Sequence, residues 1–112
     1  MSEYKSHIKD ATNSYTSLRS DYKESSFKST KVSHKFDSLD SLIDTLKRQR
    51  NDNQIQNTLT EIITSFIELQ FYLAQENRLD SIETETRKCY EKFYDAAKAM
   101  EHPKIKEFDR KV

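Results

Sequence analysis

The residues of this chain with the greatest potential for chemistry are one cysteine and three histidines. Cys89 falls on an apolar helical repeat, where a thiol usually packs as a small hydrophobe, and no base stands near it in sequence. His7, His34 and His102 are far apart, and none follows a glutamate by three residues, the spacing that di-iron helical bundles use. We therefore predict no catalytic residue, no metal site and no cofactor, and expect that the chain is not an enzyme.

Composition narrows the fold and the location. The 112 residues include no glycine and one proline, which excludes glycine-rich phosphate loops and nucleophile elbows and disfavours strand-rich folds. The 19 basic and 19 acidic residues balance, which argues against a dedicated binder of nucleic acid or anionic membrane. No signal peptide or membrane-spanning run is recognisable, and one cysteine fits a reducing compartment. We expect a cytoplasmic, all-α protein, with signal-less export left open.

The first half holds one apolar repeat with alternating intervals of four and three residues. Ser25 and Ser29 interrupt it, and its other members are apolar or tyrosine: Tyr4, Ile8, Ala11, Tyr15, Leu18, Tyr22, Val32, Phe36, Leu39, Ile43 and Leu46. This heptad spacing is typical of helices packed in a left-handed supercoil. Because a loop of arbitrary length would shift the phase, we predict one helix over about 3–49. A break near 25–29 is the alternative, since serine favours helix ends.

A polar turn separates the two halves. Residues 47–54 include no apolar side chain, and Asn and Asp form turns without glycine. The second helix is predicted over about 54–101, and folding the chain at 51–53 places residue i opposite residue 104 − i. The repeat slips by one residue near Asp80, which leaves open a break near 77–80. Pro103 ends the helix, and residues 103–112 are a short tail of the single helical domain 1–112.

The most apolar segment, residues 62–74, is apolar on two sides when wound as a helix. One side carries Ile62, Phe66, Leu69 and Leu73, and the other carries Ile63, Ile67, Phe71 and Ala74. A single two-helix hairpin would leave the second apolar side of this helix exposed to solvent. We therefore predict an all-α fold, a long antiparallel helical hairpin that pairs into a four-helix bundle. The alternative is a single-chain up-down four-helix bundle with breaks near 25–29 and 77–80.

These features favour association over catalysis. The predicted function is a non-enzymatic helical protein-protein interaction module, such as an adaptor, an inhibitor or a small assembly subunit. Its partner-binding residues would be Ile63, Ile67, Phe71 and Ala74, and its partner another protein or a second copy in a homodimer, with no small-molecule substrate. A further alternative is weak nucleic-acid binding through a basic tip, with possible charged contacts at Lys47, Arg48 and Arg50.

A resemblance to one protein family suggests another alternative function. In length and central turn the chain resembles the Trp-x-Gly small secreted proteins of type VII systems, which are helical hairpins that pair into four-helix bundles. The turn here is Arg50-Asn-Asp-Asn53, without Trp-x-Gly, and Tyr72-x-x-x-Glu76 matches the spacing of the export tag of that family but lies mid-helix. The resemblance implies a secretion-associated partner protein.

Overall fold

Four α-helices account for nearly all of the described chain. The computed structural model describes residues 4–25, 29–76 and 80–100. Its helices are α1 (Tyr4–Glu24), α2 (Thr30–Arg48), α3 (Asp52–Glu76) and α4 (Asp80–Ala99). The all-α four-helix prediction is confirmed. No helix within these ranges combines the length and the apolar character needed to cross a membrane.

The predicted continuous helices over 3–49 and 54–101 are wrong, and the alternative with two breaks is observed. Ser25 lies just past α1, where its hydroxyl donates to the Tyr22 carbonyl at 2.8 Å. Ser29 has an extended backbone and caps α2, because its hydroxyl accepts from the backbone N–H of Val32. The two serines that interrupt the apolar repeat are therefore the end of one helix and the start of the next.

The polar turn between the halves is confirmed and is short. Residues 49–51 separate α2 from α3. The side-chain oxygen of Asn51 accepts from the backbone N–H of Gln54 at 3.1 Å, so Asn51 caps the helix that begins at Asp52. Lys47 and Arg48 occupy the last turn of α2, where cations complement the negative end of the helix dipole.

The predicted hairpin register survives although the long helices do not. Between α2 and α3, Lys35 pairs with Glu68 and Ser29 donates to Glu76, each within one residue of the expected partner. Between α1 and α4, the Cys89 thiol lies 3.9 Å from the carbonyl oxygen of Ala11, one helical turn from the expected partner Tyr15. The bundle is thus the predicted hairpin folded in half, with α1 against α4, α2 against α3, and α3 against α4.

Aromatic rings from all four helices meet in the core. The Tyr22 and Phe36 rings stack with centroids 4.6 Å apart, which joins α1 to α2. The Phe66 ring of α3 lies 6.3 Å from that of Tyr15 and 5.5 Å from that of Phe93 in α4. Such tilted and edge-on pairs add about 0.5–1.5 kcal/mol each beyond the area that they bury.

Helix α3, which is apolar on two sides, is covered by other helices of the same chain. α3 packs against both α2 and α4, and Ile63 joins Ile62, Phe66 and Leu69 among the buried residues. The predicted need for a second hairpin is therefore wrong for Ile63, because α1 ends at Glu24 and α3 ends at Glu76, so that one chain supplies four helices. Whether two copies associate through Ile67, Phe71 and Ala74 stays a prediction.

One core position carries an unsatisfied hydroxyl. Thr86 of α4 is fully buried, and its Oγ1 has no hydrogen-bond partner among the described residues. A buried polar group without a partner costs about 1–3 kcal/mol. We expect Thr86→Val to raise the free energy of unfolding by about 1–2 kcal/mol, measured by urea denaturation.

The exposed Thr84 on the same helix supplies the matched control. Thr84→Val makes the same change in helix propensity but frees no buried hydroxyl, so it should shift stability by less than about 0.5 kcal/mol. If Thr86→Val destabilised the chain relative to Thr84→Val, the hydroxyl would have to be satisfied in solution.

Candidate interaction surface

The predicted partner-binding residues divide between the core and the surface. Ile63 is buried at 7% exposure, so it belongs to the core, and its predicted place on the binding surface is wrong. Ile67 is 53% exposed and Phe71 is 60% exposed, and Ala74 beyond them is exposed as well. In the part of the chain that the structure describes, Ile67 and Phe71 are the exposed large hydrophobic residues.

These three exposed residues form a continuous strip along the outer side of α3. Ile67 and Phe71 are four residues apart and Ala74 follows by three, spacing that places them on one face of the helix. The Phe71 ring is tilted against the half-buried ring of Tyr72, with centroids 6.1 Å apart. We call Ile67, Phe71 and Ala74 the α3 stripe. Isolated exposed apolar residues are normal on a surface, whereas adjacent ones suggest a contact site.

The charged side chains of α3, the helix that carries the stripe, are all acidic. α3 includes four acidic residues and no Lys, Arg or His, the acidic ones being Asp52, Glu61, Glu68 and Glu76. Its C-terminal end, close to the stripe, also carries the negative pole of the helix dipole without a basic residue in the last turn. Glu68 is balanced by Lys35 of α2, yet α3 itself offers a partner acidic groups around an apolar strip.

The predicted basic tip lies at the end of the bundle where α2 passes into α3. Lys47, Arg48 and Arg50 are all exposed there. Lys47 and Arg50 border a groove of about 220 Å³ whose apolar lining comes from Tyr4, Ile8, Leu46 and Ile55. Asp52 lies at the same end and accepts a hydrogen bond from the Tyr4 hydroxyl at 2.6 Å. The tip therefore mixes charges, and its role in charged contacts stays a prediction.

A polar groove between α1 and α2 was missed by sequence reasoning. α1 packs less closely on α2 than on α4, and a groove of about 480 Å³ runs between α1 and α2. Its lining is mostly polar: Tyr15, Thr16, Arg19, Ser20, Lys23, Asp40, Ile43, Asp44 and Lys47.

Arg19 organises this groove. Its Nε lies 3.2 Å from the Asp40 carboxylate, and its Nη2 lies 3.1 Å from Asp37. The guanidinium also sits over the Phe36 ring, 5.2 Å from the centroid. The Tyr15 hydroxyl donates to Asp40, and burial, followed by this hydrogen bond, raises the pKa of Tyr15. Arg19 and its two carboxylate partners satisfy one another, which is the arrangement of a structural bridge between two helices.

The three histidines and the cysteine do not come together in the described part of the chain. In residues 4–25, 29–76 and 80–100, no group of three or more His, Cys, Asp or Glu side chains converges as a metal site would. His7 and His34 lie on α1 and α2, whereas His102 is outside the described residues. Cys89 lies in the core between α4 and α1, away from solvent. What remains as a site is the apolar, acid-flanked α3 stripe.

Comparison with known proteins does not assign this chain to a family. No protein-family model, curated protein or solved structure matches the chain. The α3 stripe and its charge therefore have to support any functional proposal by themselves.

Proposed function

We propose that this protein is a non-enzymatic helical interaction module that binds another protein through the α3 stripe. The observation that carries the proposal is the exposure of Ile67 and Phe71 on a helix whose other large apolar side chains are buried or half-buried. Covering apolar surface is favourable by about 25 cal/mol per Å², so a partner that encloses a phenylalanine ring gains free energy. Aromatic side chains are also among the residues that contribute most in protein interfaces.

The fold supports this proposal by leaving the stripe available. Phe66 and Leu69 hold α3 in the core, so Ile67 and Phe71 can change partners without disturbing the bundle. A preformed helix face loses little conformational entropy on binding, and an apolar strip at four- and three-residue spacing suits an amphipathic helix of the partner. The adaptor, inhibitor and assembly-subunit roles all remain within this proposal.

The proposal is tested by photo-crosslinking from the stripe. Benzoylphenylalanine is placed at position 71 of the full chain in cells of its natural source, and irradiation should yield a discrete adduct with a partner protein. Adding Ile67→Asp should remove most of this adduct, because losing a central apolar contact of about 2 kcal/mol weakens binding roughly 30-fold.

The matched control places the same crosslinker at Asn57. This residue is exposed on α3 two heptads before Phe71, on a similar side of the helix but away from the stripe. Equal adducts from both positions, or adducts that persist with Ile67→Asp, would show collisions rather than a binding site and would refute the proposal.

The two other predicted functions have weaker support. The secretion-associated alternative rests on hairpins that pair, whereas here one chain supplies all four helices. The nucleic-acid alternative rests on Lys47, Arg48 and Arg50, which share their end of the bundle with Asp52. The nucleic-acid alternative also leaves the exposed Phe71 without a role.

A further inference from the structure

A groove at one end of the bundle combines the features of a small binding site and is separate from the α3 stripe. It encloses about 220 Å³ where α1, the end of α2, the turn at 49–51 and α3 meet, and we call it the end groove. Its lining comes from Tyr4, Lys5, Ile8, Leu46, Lys47, Gln49, Arg50 and Ile55. Ile55 lies about 24 Å before Phe71 along α3, at about 1.5 Å per residue, so the two surfaces do not overlap.

The apolar part of the lining is held in position by the core. Leu46 and Ile55 are buried, and the half-buried Ile8 packs against the same core. The Tyr4 ring is fixed at its far end, because its hydroxyl donates to Asp52 at 2.6 Å. An apolar group that enters the groove therefore meets apolar surface that is already ordered, which makes its transfer from water favourable.

Every charged residue that lines the end groove is a cation. Lys5, Lys47 and Arg50 are exposed around it, and no acidic residue of the described chain contributes to the lining. The whole chain has as many acidic as basic residues, so this local excess does not follow from composition. A positive lining beside apolar surface favours an anion, and carboxylates form strong charge-assisted hydrogen bonds with Lys and Arg.

Gln49 adds an unpaired polar atom to the same groove. Its backbone caps α2, where its N–H donates to the Leu46 carbonyl at 3.2 Å. Its side-chain Oε1 is shielded from solvent and has no hydrogen-bond partner among the described residues. A buried acceptor without a donor is unfavourable, so a ligand hydroxyl that reaches Oε1 supplies the missing hydrogen bond.

We propose that the end groove binds a small organic acid that has an apolar body and a hydroxyl group. The apolar body packs on Leu46 and Ile55, the carboxylate lies among the cations, and the hydroxyl donates to Gln49. The volume of about 220 Å³ equals that of about seven water molecules at about 30 Å³ each, which is room for one ring and a short acid chain. This inference is independent of the proposed function, because the α3 stripe takes no part in it.

The probe for the test is 3-(4-hydroxyphenyl)propionate, which combines one ring, a carboxylate and a hydroxyl. It is titrated into the full chain labelled with nitrogen-15, and amide chemical shifts should saturate at Ile8, Leu46 and Ile55 with a Kd below about 1 mM. 3-Phenylpropionate, which lacks the hydroxyl, should bind about threefold more weakly. 4-Hydroxyphenethylamine, which reverses the charge, and acetate, which lacks the apolar body, should each bind at least about tenfold more weakly.

Substitutions at the end of the bundle locate the site. Arg50→Gln should weaken binding of the probe about fivefold. Arg48→Gln is the matched control, since Arg48 is exposed on the same tip but does not line the groove, and it should change Kd by less than about twofold. Gln49→Met keeps the length of the side chain but removes the amide, so it should abolish the preference for the probe over 3-phenylpropionate. Circular dichroism checks that each variant keeps its helices.

The inference is overturned if the probe gives no saturable shifts up to about 10 mM, or if the amine or acetate binds as tightly as the probe. Equal weakening by Arg48→Gln and Arg50→Gln would also overturn it, because that result would show a general attraction of the tip for anions. A preference for the hydroxylated probe that persists in Gln49→Met would contradict the hydrogen bond to Gln49. Crosslinking from position 71 tests the α3 stripe separately, so either proposal can fail while the other stands.

Discussion

Replacing Phe66 by alanine should lower the free energy of unfolding by about 3–5 kcal/mol, the range for emptying a buried phenylalanine site. Phe66 is fully buried, and its ring contacts Tyr15 and Phe93, so the space that it leaves is bounded by α1 and α4 as well as by α3. Rigid aromatic neighbours on separate helices cannot easily collapse into such a cavity. The measurement is urea unfolding followed by circular dichroism.

Phe71→Ala is the matched control for this prediction. It makes the same change on the same helix, five residues further along, where the side chain is 60% exposed. Its stability should change by less than about 0.5 kcal/mol, since it leaves no cavity. A large loss for Phe71→Ala would contradict the exposure of this side chain. A small loss for Phe66→Ala would contradict the packing of the core.

Cys89 should react with iodoacetamide about a thousandfold more slowly in the folded chain than in the unfolded chain at pH 8, because the thiolate is the reacting form. The pKa of the Cys89 thiol is raised from 9.0 to about 12, mainly by burial, while a hydrogen bond to Ser14 lowers it in part and the charge of Glu85 raises it. The rate is measured by mass spectrometry with and without urea. Native labelling at the unfolded rate would show that the thiol is accessible.

The same raised pKa makes stability fall at alkaline pH. Above pH 9 the unfolded chain releases the thiol proton, whereas the folded chain keeps it up to about pH 12. The unfolded state then binds fewer protons, so the free energy of unfolding decreases as pH rises, by about 2 kcal/mol from this group at pH 10.5. Well below pH 9 both states keep the thiol proton, so the group makes almost no contribution to the slope.

Cys89→Ala separates this effect from that of Tyr15, whose raised pKa acts in the same direction. The variant loses some packing at every pH, but its disadvantage relative to the natural chain should shrink by about 2 kcal/mol between pH 8 and pH 10.5. A disadvantage that stays constant over this range would show that the Cys89 thiol does not titrate differently in the two states.

Much of the architecture could be predicted because it depends on the spacing of apolar residues along the chain and on the position of the polar turn. The heptad repeat marks the core side of every helix, and Phe36, Leu59 and Phe66 on that repeat are all fully buried. The register of α2 against α3 followed from the position of the polar turn, as Lys35 and Glu68 confirm. Both features depend on helix geometry and turn chemistry that operate over a few residues.

The candidate surface could be predicted in part. Ile67, Phe71 and Ala74 were placed on a second apolar side of α3 and are exposed, whereas Ile63 on the same side is buried. Periodicity places these residues on one side of a helix, but it does not state how far a neighbouring helix extends over that side. Their role in binding stays a prediction until the crosslinking result is known.

The sequence by itself determined which side of each helix is apolar, where the central turn lies and which residues of the two halves face each other. Only the tertiary structure decided that the chain bends at Ser25 and Ser29, since a serine suits both a small core position and a helix cap. The unbroken repeat could not distinguish these roles, because α1 and α2 face the same core and keep the same phase across a break. For the same reason the bridge from Arg19 to Asp40 was invisible, as these residues meet only when the chain folds back on itself.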